Sequence, residues 1–146
     1  MFHPPETRRP APGMTYDQML ETVRYEGAYP TRERAAEAVR NVLGAFGRQI
    51  TDDERVALAA CLPDEAARHL VSRVPAAEPV TGWAFVKNLA AETGNSPAVT
   101  RWETGAVFAV VARLADPSPL ARILDRLPEG WPLLFGQARL LSRAAA

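Results

Sequence analysis

One cysteine and two histidines in 146 residues leave the chain without the material for a disulfide framework or a Cys/His zinc site. Net charge is missing too. Seventeen Lys plus Arg offset seventeen Asp plus Glu, so no overall field draws the molecule toward nucleic acid or an anionic membrane. The longest apolar run, Gly105 to Ala112, falls far short of the roughly 18 to 20 residues that a membrane span needs, and the amino terminus lacks a signal-peptide core. These absences point to a reducing, cytoplasmic setting. Glycine-rich phosphate loops, G-x-S-x-G, H-E-x-x-H and C-x-x-C are also absent, which removes the recognisable enzyme and metal motifs. What is present is an ordinary globular composition, 47% apolar and 23% charged, at a length that suits one domain.

The chain reads as helices punctuated by glycine and proline. Residues 1–13 carry Pro4, Pro5, Pro10 and Pro12 among polar groups and read as a disordered tail. Thr15 with Gln18 has capping-box spacing, and Tyr16, Met19, Leu20 and Val23 then share one helical face. Thr31 caps a second helix with Ala35, Val39, Val42 and Phe46 inward, which Gly47 ends. Thr51 with Glu54 forms another capping-box pattern before a short helix bearing Val56, Ala59 and Ala60. Pro63 suits the first position of a fourth helix, whose inner side is Ala66, Ala67, Leu70 and Val71.

After a proline-interrupted connection at 74–80 the same programme restarts. Trp83, Val86, Leu89 and Ala90 mark a fifth helix, and Val99, Trp102, Ala106, Val110 and Leu114 a long sixth one. A short seventh helix carries Leu120, Ile123 and Leu124, and Pro128 opens an eighth with Trp131, Leu134, Phe135 and Ala138. A shift of 67 residues lays Gly27 on Gly94, Pro30 on Pro97, Arg34 on Arg101 and Ala45 on Ala112; a shift of 65 lays Leu62-Pro63 on Leu127-Pro128. The matches fall at turns and helix starts, where backbone geometry restricts the choice, so they point to an internal duplication. The expectation is an all-α protein of two tandem four-helix repeats packed as one domain over 14–143, with repeat one at 15–73 and repeat two at 81–143. Gly105 to Ala112, apolar on every side, should be surrounded by other helices. A buried strand through Val107, Val110 and Val111 is the competing reading.

Ala35, Ala38, Val39 and Leu43, followed by Thr51, Glu54, Leu58 and Leu62-Pro63, give the series A-x-x-A-V-x-x-x-L and then E-x-x-x-L-x-x-x-L-P. This resembles the signature of the bacterial domain of unknown function 2267 family. Phe108, Leu114, Leu124, Leu127-Pro128 and Phe135 look like a second copy of it. The resemblance covers most of Tyr16 to Phe135 and implies a duplicated α-helical fold. It implies no activity, cofactor or catalytic residue, because the matched positions are apolar or helix-boundary residues.

The polar clusters read as architecture. Asp52, Asp53 and Glu54 sit in the first turn of helix three, where negative charge suits the helix dipole. Glu65, His69 and Arg73 are spaced four apart, a charge ladder on one helical face and the one set from which an unrecognised enzyme could be built. Cys61 reads as a small buried hydrophobe. Sixteen of the seventeen basic residues are arginine, and helix two, with Arg32, Arg34, Arg40 and Arg48 against Glu33 and Glu37, keeps nucleic-acid binding open as a lesser alternative. The charges point to no catalytic group, no metal and no cofactor, and name no small molecule.

The remaining functional hint is apolar. Trp83, Trp102 and Trp131 either fill the core or border a groove. Trp131, Leu133, Leu134 and Phe135 crowd four large groups into five positions, more than one helical face can bury, with Leu133 directed away from its neighbours. These four are the candidate interaction surface, on helix eight as one wall of a groove between the halves. The functional expectation is a non-catalytic helical interaction or regulatory module that meets a protein partner or a second copy of itself.

Overall fold

The computed structural model describes residues 13–137, which form eight helices and no strand. They are α1 (Tyr16–Gly27), α2 (Arg32–Gly47), α3 (Asp52–Ala59), α4 (Asp64–Leu70), α5 (Gly82–Thr93), α6 (Pro97–Leu114), α7 (Pro117–Arg126) and α8 (Trp131–Leu134). The protein is all-α. Residues 1–12 of the proline-rich segment, and Ala138 to Ala146, lie outside the described residues.

Hydroxyl caps start four helices, two of them, at Thr15 and Thr31, as the sequence pattern leads one to expect. The Thr15–Gln18 box is complete: the Gln18 amide donates to Thr15 Oγ1 at 3.1 Å and the Thr15 amide to Gln18 Oε1 at 2.9 Å. Thr31, Thr81 and Ser96 accept from the amides of Arg34, Ala84 and Val99, each at 3.1 Å. At α3 the expected box is not made. The Thr51 hydroxyl donates to the Glu54 carboxylate instead of accepting from the helix.

Helix α6 runs through the centre, in contact with α1, α2, α5 and α8. Val107, Phe108, Val110 and Val111 are fully buried, with Ala106 close behind. The strand alternative fails because Pro97 to Leu114 is one continuous helix. Phe46 of α2, Phe85 of α5, Phe108 of α6, Trp131 of α8 and Phe135 form an aromatic cluster, with the Phe108 and Phe135 rings stacked 4.1 Å apart. Trp131 can be wholly enclosed because its indole N–H donates to the Val80 carbonyl at 2.8 Å. One apolar cluster extends from Met19 in α1 to Phe135, and its members come from both sides of the 74–80 connection.

Four local expectations need correction. Pro128 does not open α8, which begins at Trp131. The intervening Glu129-Gly130 turn is pinned to α5: Gly82 N–H donates to Glu129 O at 2.9 Å, Gly130 adopts φ 94, and a Cβ on Gly82 would lie 2.7 Å from the Gly130 carbonyl carbon. Helix α3 turns Glu54 and Leu58 inward and leaves Val56 67% exposed, because it packs on α4 and α7 through that face. Val71 follows the last turn of α4 and is exposed. Trp83 and Trp102 are not core residues; Phe85 takes the inward position of the first turn of α5.

The connection after α4 is held down at several points. Ala76 N–H donates to Arg48 O at 2.8 Å, Arg48 Nε to Val74 O at 2.9 Å, and Val80 N–H to Gln49 Oε1 at 2.8 Å. The 74–80 segment is thereby bonded to the end of α2.

Candidate functional site

A polar cleft of about 530 Å³ opens between α2, the residues after α4, α5 and α6. Its floor runs along one face of α2: Arg34, Glu37, Asn41 and Gly44, at steps of three, four and three, span about 15 Å of helix. Ser72 and Arg73 close one end, Glu92, Thr93 and Asn95 form the opposite wall, and Glu103 reaches in from α6. Three guanidinium groups, of Arg34, Arg40 and Arg73, face three carboxylates, of Glu37, Glu92 and Glu103. The lining is therefore formally neutral.

The ion pairs are unevenly distributed. Arg34 donates to Glu37 Oε1 at 2.7 Å and to Glu103 Oε2 at 3.1 Å, the second pair linking α2 to α6 across 69 residues. Arg73 donates to Glu92 Oε2 at 2.8 Å. Arg40, exposed beside them, has no carboxylate within ion-pair distance among the described residues. The Glu103 side chain is only 4% exposed, whereas its partner Arg34 is 40% exposed. A carboxylate removed this far from water needs its guanidinium, and the hydrogen bond to Glu103 raises the already high pKa of Arg34.

Tyr29 lies behind this pair. Its ring sits under the Arg34 guanidinium, 5.3 Å from centroid to Cζ. Burial first, and the negative charge of Glu103 second, push its phenol up to about 12, against the opposing pull of Arg34. The Tyr29 hydroxyl and the side-chain oxygens of Thr100 and Thr104 are buried without a hydrogen-bond partner among the described residues. Trp102, 58% exposed, is oriented by a bond from its indole N–H to the Gly27 carbonyl at 2.8 Å.

Of the four residues proposed for the helix-eight surface, Trp131, Leu134 and Phe135 are core residues, 0%, 6% and 6% exposed. That corrects the set: Trp131 and Phe135 belong to the aromatic cluster, so these three side chains offer a partner no surface. Leu133 stands apart at 53% exposed. The cleft between the halves is walled by α2, α5 and α6, not by α8.

Glu65, His69 and Arg73 are not brought together. Helix α4 ends at Leu70, so Arg73 leaves the helical face and pairs with Glu92 of α5. His69 is half-buried next to Tyr16, with ring centroids 6.4 Å apart. Burial lowers its pKa, with Glu65 opposing that shift and Arg40 and Arg68 adding to it. Cys61 is half-buried, its thiol donating to Ala57 O at 3.5 Å. Most arginines of the expected basic face of α2 are engaged: Arg32 with Glu21 at 3.0 Å, Arg34 with two glutamates, and Arg48 with the Val74 carbonyl. No group of three or more His, Cys, Asp or Glu among the described residues has the arrangement of a metal site. Among them, no helix is long and apolar enough to cross a membrane.

Sequence reasoning overlooked Glu103 and misread Glu54. Both sit on inward-facing helical stripes, Glu103 with Thr100, Val107 and Val110 of α6, and Glu54 with Leu58 of α3. A charge on an inward stripe was the available signal.

A search of curated proteins returned no match. The family model described as "Uncharacterized conserved protein (DUF2267)" matches residues 16–134, the whole helical region from the first residue of α1 to the last of α8. The chain belongs to this DUF2267 family.

Proposed function

We propose that the protein is a non-catalytic helical binding module that receives a polar segment of a partner protein in the cleft between α2 and α5. The observation that carries this reading is Glu103. An apolar side chain at that point of α6 would extend the core at no desolvation cost, whereas a buried carboxylate is costly and contributes little net stability even when paired. Reaching into the cleft from α6, in a lining that also holds the uncommitted Arg40, it supplies the specific recognition that a mixed-charge site can give. The balanced lining favours a polar protein segment over nucleic acid, whose phosphates call for a net positive surface. The same reading treats the halves as tandem copies, supported by helices of 12, 16, 8 and 7 residues followed by 12, 18, 10 and 4. It assigns the protein to a bacterial cytoplasm, in keeping with its free thiol.

The test is capture from native cell extract on the immobilised full chain, comparing wild type with Arg40→Glu and with Lys87→Glu, an exposed control outside the cleft. A partner retained by wild type and Lys87→Glu but lost by Arg40→Glu supports the cleft. Identical recovery by all three overturns it. Leu133 favours a second reading, self-association through the exposed side of α8. Sedimentation equilibrium would then show an oligomer that Leu133→Glu dissociates, and a wild-type monomer throughout removes that reading.

A further inference from the structure

A second cavity, of about 320 Å³, lies between the α2–α3 loop, the Pro75–Pro79 connection and α7. Ile50, Pro75, Pro79, Ile123 and Leu127 give it an apolar wall. One carboxylate stands in that wall: Glu54, with its side chain 7% exposed. Its neighbours are occupied elsewhere, Arg48 on the Val74 carbonyl at 2.9 Å and Asp52 on Arg55 at 3.4 Å. Glu54 accepts from the Thr51 hydroxyl on Oε1. Its Oε2 faces Arg126 Nε at 3.5 Å, a guanidinium whose side chain is 64% exposed and therefore largely screened by water.

A mostly apolar cavity with one convergent buried charge is the pattern of a small-molecule site. We propose that this cavity binds a small amphiphilic amine, with an apolar ring against Pro75, Pro79 and Leu127 and an ammonium group on Glu54 Oε2 in place of Arg126. The choice follows from charge. A buried carboxylate gains more from a cation enclosed with it than from one held in solvent, whereas a neutral ligand of the same shape gains no charge pairing there and an anionic one is repelled. This site is separate from the α2–α5 cleft and does not depend on the function proposed there.

The experiment titrates the full chain with benzylamine, benzyl alcohol and benzoate while amide shifts are followed by NMR. Benzylamine should bind with a roughly millimolar constant, shifting Gln49 to Glu54, Ala76, Ala77 and Ile123, with benzyl alcohol at least about tenfold weaker and benzoate silent. Glu54→Gln should erase the preference for the amine. Arg126→Gln, at an exposed position, should tighten benzylamine binding about threefold or more by removing its competitor. Equal responses to amine and alcohol, binding of benzoate, shifts outside the cavity, or an Arg126→Gln affinity no better than wild type would each overturn the proposal.

Discussion

Helices α2 and α4 meet at Gly47 with no room for a side chain. A Cβ built there would lie 1.7 Å from the carbonyl oxygen of Leu70, the last residue of α4. Gly47 has no left-handed backbone requirement, so substitution by alanine acts through space alone. Non-bonded heavy atoms rest about 3.5 Å apart, so Gly47→Ala forces α4 from α2 by roughly 1.5 to 2 Å. Leu70 is fully buried, and the obstructing atom is backbone, which cannot rotate aside. Overpacking of this kind costs about 1 to 3 kcal/mol and sometimes more, against a gain of up to about 1 kcal/mol in helix propensity. The backbone obstacle cannot move aside, which puts the cost at or beyond the upper end of that range, so the expected net loss is about 2 kcal/mol or more. For a chain of this length 1 kcal/mol corresponds to about 3 °C, so the melting temperature should fall by roughly 6 °C or more. Gly44, one turn earlier, is the internal control. A Cβ there meets Arg73 Cδ at 3.6 Å, an ordinary contact, and Gly44→Ala should be neutral or stabilising by up to about 1 kcal/mol. Thermal and urea melts of the two variants, followed by circular dichroism, decide the matter. Equal stabilities, or a Gly47→Ala variant as stable as wild type, would refute the α2–α4 geometry.

Val110→Asp should be severely destabilising, by more than about 4 kcal/mol, because Val110 is fully buried in α6, while Arg40→Ala should stay within about 0.5 kcal/mol; equal melting temperatures would contradict the placement of α6. Because the apolar cluster joins α1–α4 to α5–α8, unfolding should be one cooperative transition by both near- and far-ultraviolet dichroism, and two separated transitions would show autonomous halves. Tyr29→Phe removes a buried hydroxyl without a partner among the described residues and should stabilise by about 1 kcal/mol at neutral pH. Its advantage should widen at alkaline pH, because a phenol raised to about 12 makes wild type lose stability as pH climbs from 10 toward 12; urea titrations at pH 7 and 11 check both parts. His69 has a folded pKa below its ordinary 6.5, so the unfolded chain takes up the proton first and stability falls as pH drops below about 6.5. His69→Gln should flatten that limb of the stability profile, and an unchanged slope between pH 7 and 5 would remove His69 as its source.

Helix identity was legible because it is written locally. Thr15 and Thr31 mark helix starts through bonds to amides three residues on, and the inward faces of α1 and α2 follow the 3.6 period. Legibility ended where a position depends on a distant partner. Nothing near Pro128 says that the following turn must rest on Gly82, yet that contact delays α8 to Trp131. The crowding of Trp131, Leu133, Leu134 and Phe135 suggested a demand for cover on two sides, yet only the side of Trp131, Leu134 and Phe135 is covered and Leu133 stays 53% exposed. Phe46, Phe85, Phe108 and the Val80 carbonyl meet most of that demand from other parts of the chain.

The buried glutamates show how a local reading and a distant one can compete for the same residue. Glu54 stands three residues after Thr51, so a helix-start rule accounts for it completely, and the account is wrong in detail because the Thr51 hydroxyl bonds the carboxylate instead of an amide. The spacing of Glu54 and Leu58 also puts the carboxylate on the face that α3 turns inward, toward α4 and α7. Glu103 repeats the situation on α6, between Thr100 and Val107. In each case the compensating arginine comes from the other half of the chain: Arg126 of α7 reaches Glu54, and Arg34 of α2 reaches Glu103. Either pair thus spans the 74–80 connection, and either carboxylate faces a cavity that both halves help to enclose. A half of the chain on its own would leave both glutamates without these partners and both cavities open on one side. The physical consequence is that the recognition chemistry proposed for the two cavities exists only in the assembled eight-helix unit, although each half carries the local signals for its own helices.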